Sequence, residues 1–212
     1  MKKFKEVVVE AGIEMEKRSL TVGTWGNVSC RDPETGNIFI SPSGMDYSVI
    51  GPADIVVFSR DGEKIEGERK PSIEAPMHIQ IYQAREDVNA VVHTHPTFST
   101  AFAITDSEIP PVSEDFVQIV GETVKCADYA LPGTEDLGKN AVEALGDRNA
   151  VLLTSHGTLY VGPDMDTAYK VCDVVEKTAR IYLLSRSLGE ARIIPLADIK
   201  AMQEFAASEY GQ

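Results

Sequence analysis

Short apolar runs of strand length alternate with helix-periodic stretches along most of the 212 residues. Phe4, Val7, Val8, Ala11 and Met15 recur at helical spacing, which predicts an amphipathic helix over 4–18. Two strand patterns follow, Val28–Arg31 and Ile38–Ser41, separated by the turn residues Pro33 to Asn37. Asp61-Gly62, between Ile55–Phe58 and Lys64–Glu66, marks a hairpin. Ser72 is placed to cap a helix running to about Arg85, with Met77, Ile81 and Tyr82 on its apolar side. Val88–His95 and Ala150–Ser155 read as strands, and between them Thr134 caps a helix through Leu145. A long helix over 165–187 is stopped by Gly189, and Pro195 opens a last helix that leaves 209–212 as a tail. Strands interleaved with helices pack in layers, so the fold class is α/β or α+β, with strand direction open from pattern alone.

No repeat, low-complexity stretch or Pro/Gly/Ser linker divides the sequence, and its length suits one compact domain or at most two small ones. The hydrophobic share of 43% is enough to fill a core. A formal net charge of -13 opposes binding to a phosphate backbone, which calls for basic patches that displace counterions, so no nucleic-acid partner is expected. An anionic substrate in that field requires a local cation, backbone amides or a metal. Cys30, Cys126 and Cys172 are odd in number and lack C-x-x-C spacing, so buried reduced thiols are expected. The basic start, Met1 to Lys5, is followed by no apolar signal core, and no apolar run reaches the roughly 18 residues of a membrane span. A cytoplasmic protein with no membrane partner is expected.

Three of the four histidines fall at strand ends. In Val91-Val92-His93-Thr94-His95-Pro96 the two imidazoles are two residues apart, so an extended strand turns both to one face, and Pro96 ends the strand where an ion can be reached. His156 closes the run Val151–Ser155, and Gly157 after it permits a sharp turn. Three neutral imidazoles with a fourth position open form the usual ligand set of catalytic zinc. His78, mid-helix and four residues after Glu74, reads as a packed or surface residue. Glu74 lies in the first turn of its expected helix, where a carboxylate favours the dipole; only nearness to a metal would make it a base, and spacing leaves that open.

At these residues the sequence resembles the class II aldolases of the L-fuculose-1-phosphate aldolase and L-ribulose-5-phosphate 4-epimerase type. The likeness runs through Gly23-Thr24-Trp25-Gly26-Asn27-Val28-Ser29, Ile40-Ser41-Pro42-Ser43-Gly44, Gly67-Glu68-Arg69-Lys70-Pro71-Ser72-Ile73-Glu74, His93-Thr94-His95 and Ser155-His156-Gly157, in order along nearly the whole chain. It implies a single αβα-sandwich domain over 1–212, with a central, largely antiparallel sheet covered by helices on both faces. It also implies a four-fold homotetramer with active sites between subunits. His93, His95 and His156 would hold Zn2+, with Mn2+ or Co2+ as alternative ions, and Glu74 would be the acid/base. The phosphate of a small phosphorylated sugar would sit among Gly26, Asn27, Ser43, Gly44 and Ser72. The implied reaction cleaves a ketose 1-phosphate, fuculose-1-phosphate-like or 5-deoxy, to dihydroxyacetone phosphate and a small aldehyde.

Two departures bear on that carry-over. The fuculose enzymes have Ser-Ser-Glu where this chain has Ser72-Ile73-Glu74, which removes one hydroxyl from the phosphate site. Their tyrosine proton donor after Ile-Pro is absent from Pro111-Val112-Ser113-Glu114-Asp115-Phe116, which leaves two readings of Glu114 and Asp115: a substitute donor reaching in from a neighbouring subunit, or an acidic surface turn. Tyr210, in a closing Tyr-Gly, matches a second family tyrosine that folds over the site. The alternatives within the superfamily are a 4-epimerase and a sugar-acid-phosphate decarboxylase or dehydratase. Outside catalysis stand the adducin heads, which share the fold but lack the metal histidines.

Overall fold

A computed structural model describes residues 1–208. Its centre is one eight-stranded sheet in the order β4-β3-β2-β1-β5-β8-β7-β6. The strands are β1 (Asn27–Arg31), β2 (Ile38–Ile40), β3 (Val56–Phe58), β4 (Lys64–Glu66), β5 (Ala90–Thr94), β6 (Cys126–Ala127), β7 (Ala150–Leu153) and β8 (Gly157–Gly162). Every neighbouring pair is antiparallel except β6 and β7. The helices are α1 (Lys2–Lys17), α2 (Ala75–Ala84), α3 (Thr97–Ala103), α4 (Glu114–Ile119), α5 (Glu135–Leu145), α6 (Met165–Ser185) and α7 (Leu196–Ser208).

The period of two in the strands sorts side chains onto two faces. Val28, Cys30, Ala90, Val92 and Tyr160 pack with α1, α3, α4, α6 and α7 in one apolar cluster. Val91, Val151, Leu159 and Val161 pack with Met77, Ile81 and Tyr82 of α2 and Leu137, Ala141 and Leu145 of α5 in the other. Helices thus cover both faces of a largely antiparallel sheet, which is the αβα sandwich. Thr134 caps α5 by accepting the Leu137 N–H, and Asp164 caps α6 by accepting that of Thr167.

Several elements differ from the sequence patterns. β8 has glycine at both ends, so Gly157–Gly162 carries turn signals although it is a fully buried strand at the centre of the sheet. The short α3, α4 and β6 lie in a stretch that the patterns do not mark. β5 and β7 end at Thr94 and Leu153, earlier than the apolar runs indicate, so His95 and His156 sit in the connections just beyond them. Ser72 does not cap α2: Glu74 holds that position, and the Ser72 hydroxyl instead accepts the Glu74 N–H at 3.2 Å. Cys30 and Cys172 are buried thiols as expected, whereas Cys126 is half-buried. Among the described residues no helix is long and apolar enough to cross a membrane.

Candidate active site

His93 is the fourth residue of β5 and points to the α2/α5 face, where it lies fully buried. His95 follows the strand, held by its N–H on the Leu20 carbonyl at 3.1 Å. His156 is carried by the three-residue turn between β7 and β8. Ser155 takes φ 58° there, and the His156 N–H returns to the Leu153 carbonyl at 2.9 Å. That left-handed conformation is unusual for a non-glycine residue, and it is Ser155, not Gly157, that makes the turn. Gly157 is required for space: a Cβ there would lie 2.5 Å from the Thr94 carbonyl oxygen and 2.7 Å from Cδ2 of His95.

The three imidazoles pack edge to face with centroids 4.8–5.0 Å apart, and their ligating nitrogens all lie within 4.8 Å of one another. Nε2 of His95 stands 2.9 Å from Nε2 of His93. Nδ1 of His93 faces the Thr158 carbonyl at 3.0 Å, which can only accept, so Nδ1 carries the proton and Nε2 presents a lone pair to the site. Glu74 completes the cluster, with Oε2 at 3.2 Å from His93 Nε2 and Oε1 at 3.3 Å from His156 Nε2. Oε1 is buried without a hydrogen-bond donor. Convergent lone pairs beside a buried carboxylate oxygen lacking a donor are what a divalent cation fits, and His93, His95 and His156 would hold it.

Burial pushes the His93 imidazole down to about 4, which keeps it neutral and ligand-ready. Burial alone would raise the Glu74 carboxyl, but it is held below the usual range, with the Asn27 amide donating to it. Nδ2 of Asn27 donates to Glu74 Oε2 at 2.8 Å. Asn27 reaches that position because it pairs directly with His93 across β1 and β5.

Gly26, Asn27, Ser43, Gly44 and Ser72 line the same cleft of about 560 Å3 as Glu74, His95 and His156. Two loop segments are laid side by side to achieve this, with the Ser43 N–H on the Lys70 carbonyl and the Ser72 N–H on the Ser41 carbonyl. Tyr47 anchors the glycine-rich loop, donating to the Gly26 carbonyl at 3.1 Å. Gly26 has φ 82°, and a Cβ there would meet the His93 carbonyl oxygen at 2.8 Å. No lysine or arginine lines the cleft among the described residues, so an anionic group in it would rely on backbone amides, hydroxyls and a bound cation.

Glu114 and Asp115 open α4 on the opposite face of the sheet and do not line the cleft within one chain. Glu114 accepts from Gln118, and Asp115 pairs with Lys177. Tyr210 lies outside the described residues. Ile73 lines the cleft beside Ser72, and Trp25, Pro132 and Ser155, to which the sequence pattern assigns no role, line it too, with Trp25 and Ile73 largely exposed. His78, expected at the surface or in packing, is fully buried behind Asn27.

Residues 6–183 match the family model described as the class II aldolase and adducin N-terminal domain. Over 195 residues the chain is 41% identical to a 5-deoxy-D-ribulose 1-phosphate aldolase of Bacillus thuringiensis serovar kurstaki, covering 92% of this chain and 91% of that one. A 5-methylthioribulose-1-phosphate/5-deoxyribulose-1-phosphate aldolase of Rhodospirillum rubrum is 34% identical over 93% of this chain and 88% of its own length. Among solved structures, an L-fuculose 1-phosphate aldolase superposes with a TM-score of 0.92 at 36% identity, over 95% of each chain.

Proposed function

The chain belongs to the class II aldolase and adducin family, and from that membership we propose that it is a zinc-dependent aldolase that cleaves a 5-deoxyketose 1-phosphate to dihydroxyacetone phosphate and a small aldehyde. The observation that carries this reading is the convergence of three imidazole Nε2 atoms and the Glu74 carboxylate on one point at the wall of the cleft. A divalent ion held by the three histidines supplies Lewis acidity toward the carbonyl and neighbouring hydroxyl oxygens of the substrate.

The chain's own residues account for the rest. Breaking the bond between C3 and C4 requires the C4 hydroxyl to lose a proton and the enediolate left at C3 to gain one. Glu74, buried and aimed into the cleft, is the group placed to carry a proton at that carbon. Gly26, Asn27, Ser43, Gly44 and Ser72 form the proposed phosphate end, where loop amides and hydroxyls replace the absent basic side chains. The identity to deoxyribulose-phosphate enzymes favours the 5-deoxy substrate over fuculose 1-phosphate.

Among the described residues of one chain, the cleft has no second proton carrier besides Glu74 and the metal-binding histidines. The proposal therefore includes a homotetramer in which Glu114 or Asp115 of a neighbouring copy, and Tyr210, approach the site. The test is a panel of ketose 1-phosphates given to the zinc-loaded protein, with release of dihydroxyacetone phosphate followed by a coupled assay and solution mass measured alongside. Cleavage of 5-deoxyribulose 1-phosphate with a kcat/KM at least tenfold above that for fuculose 1-phosphate is expected. Absence of cleavage across the panel would remove the assignment.

A further inference from the structure

Behind the cleft, Ser29, His78 and Tyr82 are buried polar side chains that metal binding and phosphate binding leave unused, and they connect through Asn27 to Glu74. Glu74, His78 and Tyr82 follow one another at intervals of four along α2 and share one side of it. Asn27 and Ser29, two apart on β1, face that side from the sheet. The contacts run in one line. Tyr82 Oη lies 2.8 Å from Ser29 Oγ, Ser29 Oγ 2.6 Å from His78 Nδ1, His78 Nε2 2.6 Å from Asn27 Oδ1, and Asn27 Nδ2 2.8 Å from Glu74 Oε2. Ser29 and His78 are fully buried, and Asn27 and Tyr82 nearly so.

Chemistry fixes the direction of every proton in this line. The Glu74 carboxylate can only accept, so Asn27 must turn its Nδ2 toward it and its Oδ1 toward His78. Oδ1 can only accept, so the proton of a neutral His78 is on Nε2 and Nδ1 is bare. Nδ1 then accepts the Ser29 O–H, and Ser29 accepts the Tyr82 O–H. The opposite setting would turn the Asn27 oxygen onto the carboxylate, two acceptors 2.8 Å apart in a buried site. A cationic His78 would donate from Nδ1 and turn the Ser29 hydroxyl round to accept, and burial opposes that state, pushing the imidazole down to about 3.

We infer that His78, held as its Nε2–H tautomer between Asn27 and Ser29, is a positioning residue whose donation to Asn27 Oδ1 locks the amide with Nδ2 on Glu74 and thereby holds the orientation of Glu74. The assignment rests on the role proposed above for Glu74. His78 touches neither the cleft nor the histidine cluster, so its effect on turnover passes through Asn27.

The experiment uses the zinc-loaded full-length protein labelled with 15N-histidine. Only four histidines are present, so the His78 signals are assigned by their loss in His78→Gln. A protonated Nε2 and a bare Nδ1, unchanged across neutral pH, are expected; an Nδ1–H tautomer or an imidazolium overturns the inference. His78→Gln keeps an N–H donor near the Nε2 position, so kcat should stay within about threefold of the native value. His78→Leu removes the donor and should lower kcat by about tenfold or more, with KM changed by less than about threefold and zinc content intact. The Asn27 side-chain amide signals should move in His78→Leu and hold in His78→Gln. Equal behaviour of the two variants overturns the inference. Should His78→Leu fail to fold, Ser29→Ala serves instead: it removes the donor to Nδ1, and an unchanged tautomer together with unchanged kcat overturns the inference. If no ketose phosphate is cleaved at all, the proposed function falls, while the tautomer and the amide signals still decide the relay.

Discussion

Nε2 of His93 and Oε2 of Glu74 stand 3.2 Å apart with no proton available to lie between them. The only hydrogen of the neutral imidazole is on Nδ1, committed to the Thr158 carbonyl. Two lone pairs at this separation in a buried site repel unless a cation accepts both or bridges their neighbours. We therefore expect the purified protein to hold close to one divalent ion per chain, and His93→Ala and His156→Ala to lose it. Elemental analysis of the three proteins decides this, and metal retained at full occupancy by both variants would rule out the site. Chelation should also lower the melting temperature, because an ion that binds only the folded chain stabilises it by mass action.

Glu74→Gln keeps the shape of the side chain and can still meet the Asn27 amide, so the fold should survive. Without a carboxylate to carry the proton, kcat should fall by about 100-fold or more, the usual scale for removing a general acid or base. Turnover by the zinc-loaded variant is the measurement; a rate near that of the native protein would assign proton transfer to another group.

How far the sequence reaches is clear from these residues. His93 and His95 converge because strand geometry sends positions two apart to one face, a relationship visible without any tertiary information. Glu74 and Ser72 could be placed near a helix start, but their distance from the histidines could not, because it depends on how α2 lies across the sheet. Asn27 meets Glu74 only through the register that pairs Asn27 with His93, and register between strands far apart in sequence leaves no local mark. His78 shows the same limit: its helical position was legible, its partners Ser29 and Asn27 on β1 were not. β8 was hidden because its bounding glycines look like turn signals, although Gly157 is there to make room for the rings of His93 and His95.

That close approach predicts the outcome of a small substitution. In Gly157→Ala the new methyl group would fall within 2.7 Å of the His95 ring and 2.5 Å of the Thr94 carbonyl oxygen, and the backbone oxygen cannot swing aside as a side chain would. Overpacking of this kind costs about 1–3 kcal/mol. The variant should therefore show a lower denaturation midpoint, and metal content should fall as His95 is displaced. A variant with unchanged midpoint and full metal would mean that β5 and β8 can separate freely at this point.

The buried histidines make stability depend on pH, and the sign can be worked out for His78. Its imidazole has an ordinary value of 6.5 and is pushed down to about 3 in the fold by burial. Between those values the unfolded chain binds a proton at this position and the folded chain does not. Stability therefore rises with pH through this window and falls as the solution is acidified, by at most about 1.4 kcal/mol per pH unit for one group. Above 6.5 neither state is protonated there and the dependence vanishes. Measurements between pH 7 and about 5.5 stay above the range in which carboxylates titrate. Denaturant midpoints of the chelator-treated protein should fall across this interval more steeply for the native chain than for His78→Gln, which has no titrating group at that position. The difference in slope should approach one proton per molecule at the acid end. Parallel curves for the two proteins would show that His78 takes up a proton in the folded state near its ordinary value, and the neutral, direction-fixed line of hydrogen bonds from Tyr82 to Glu74 could not then exist.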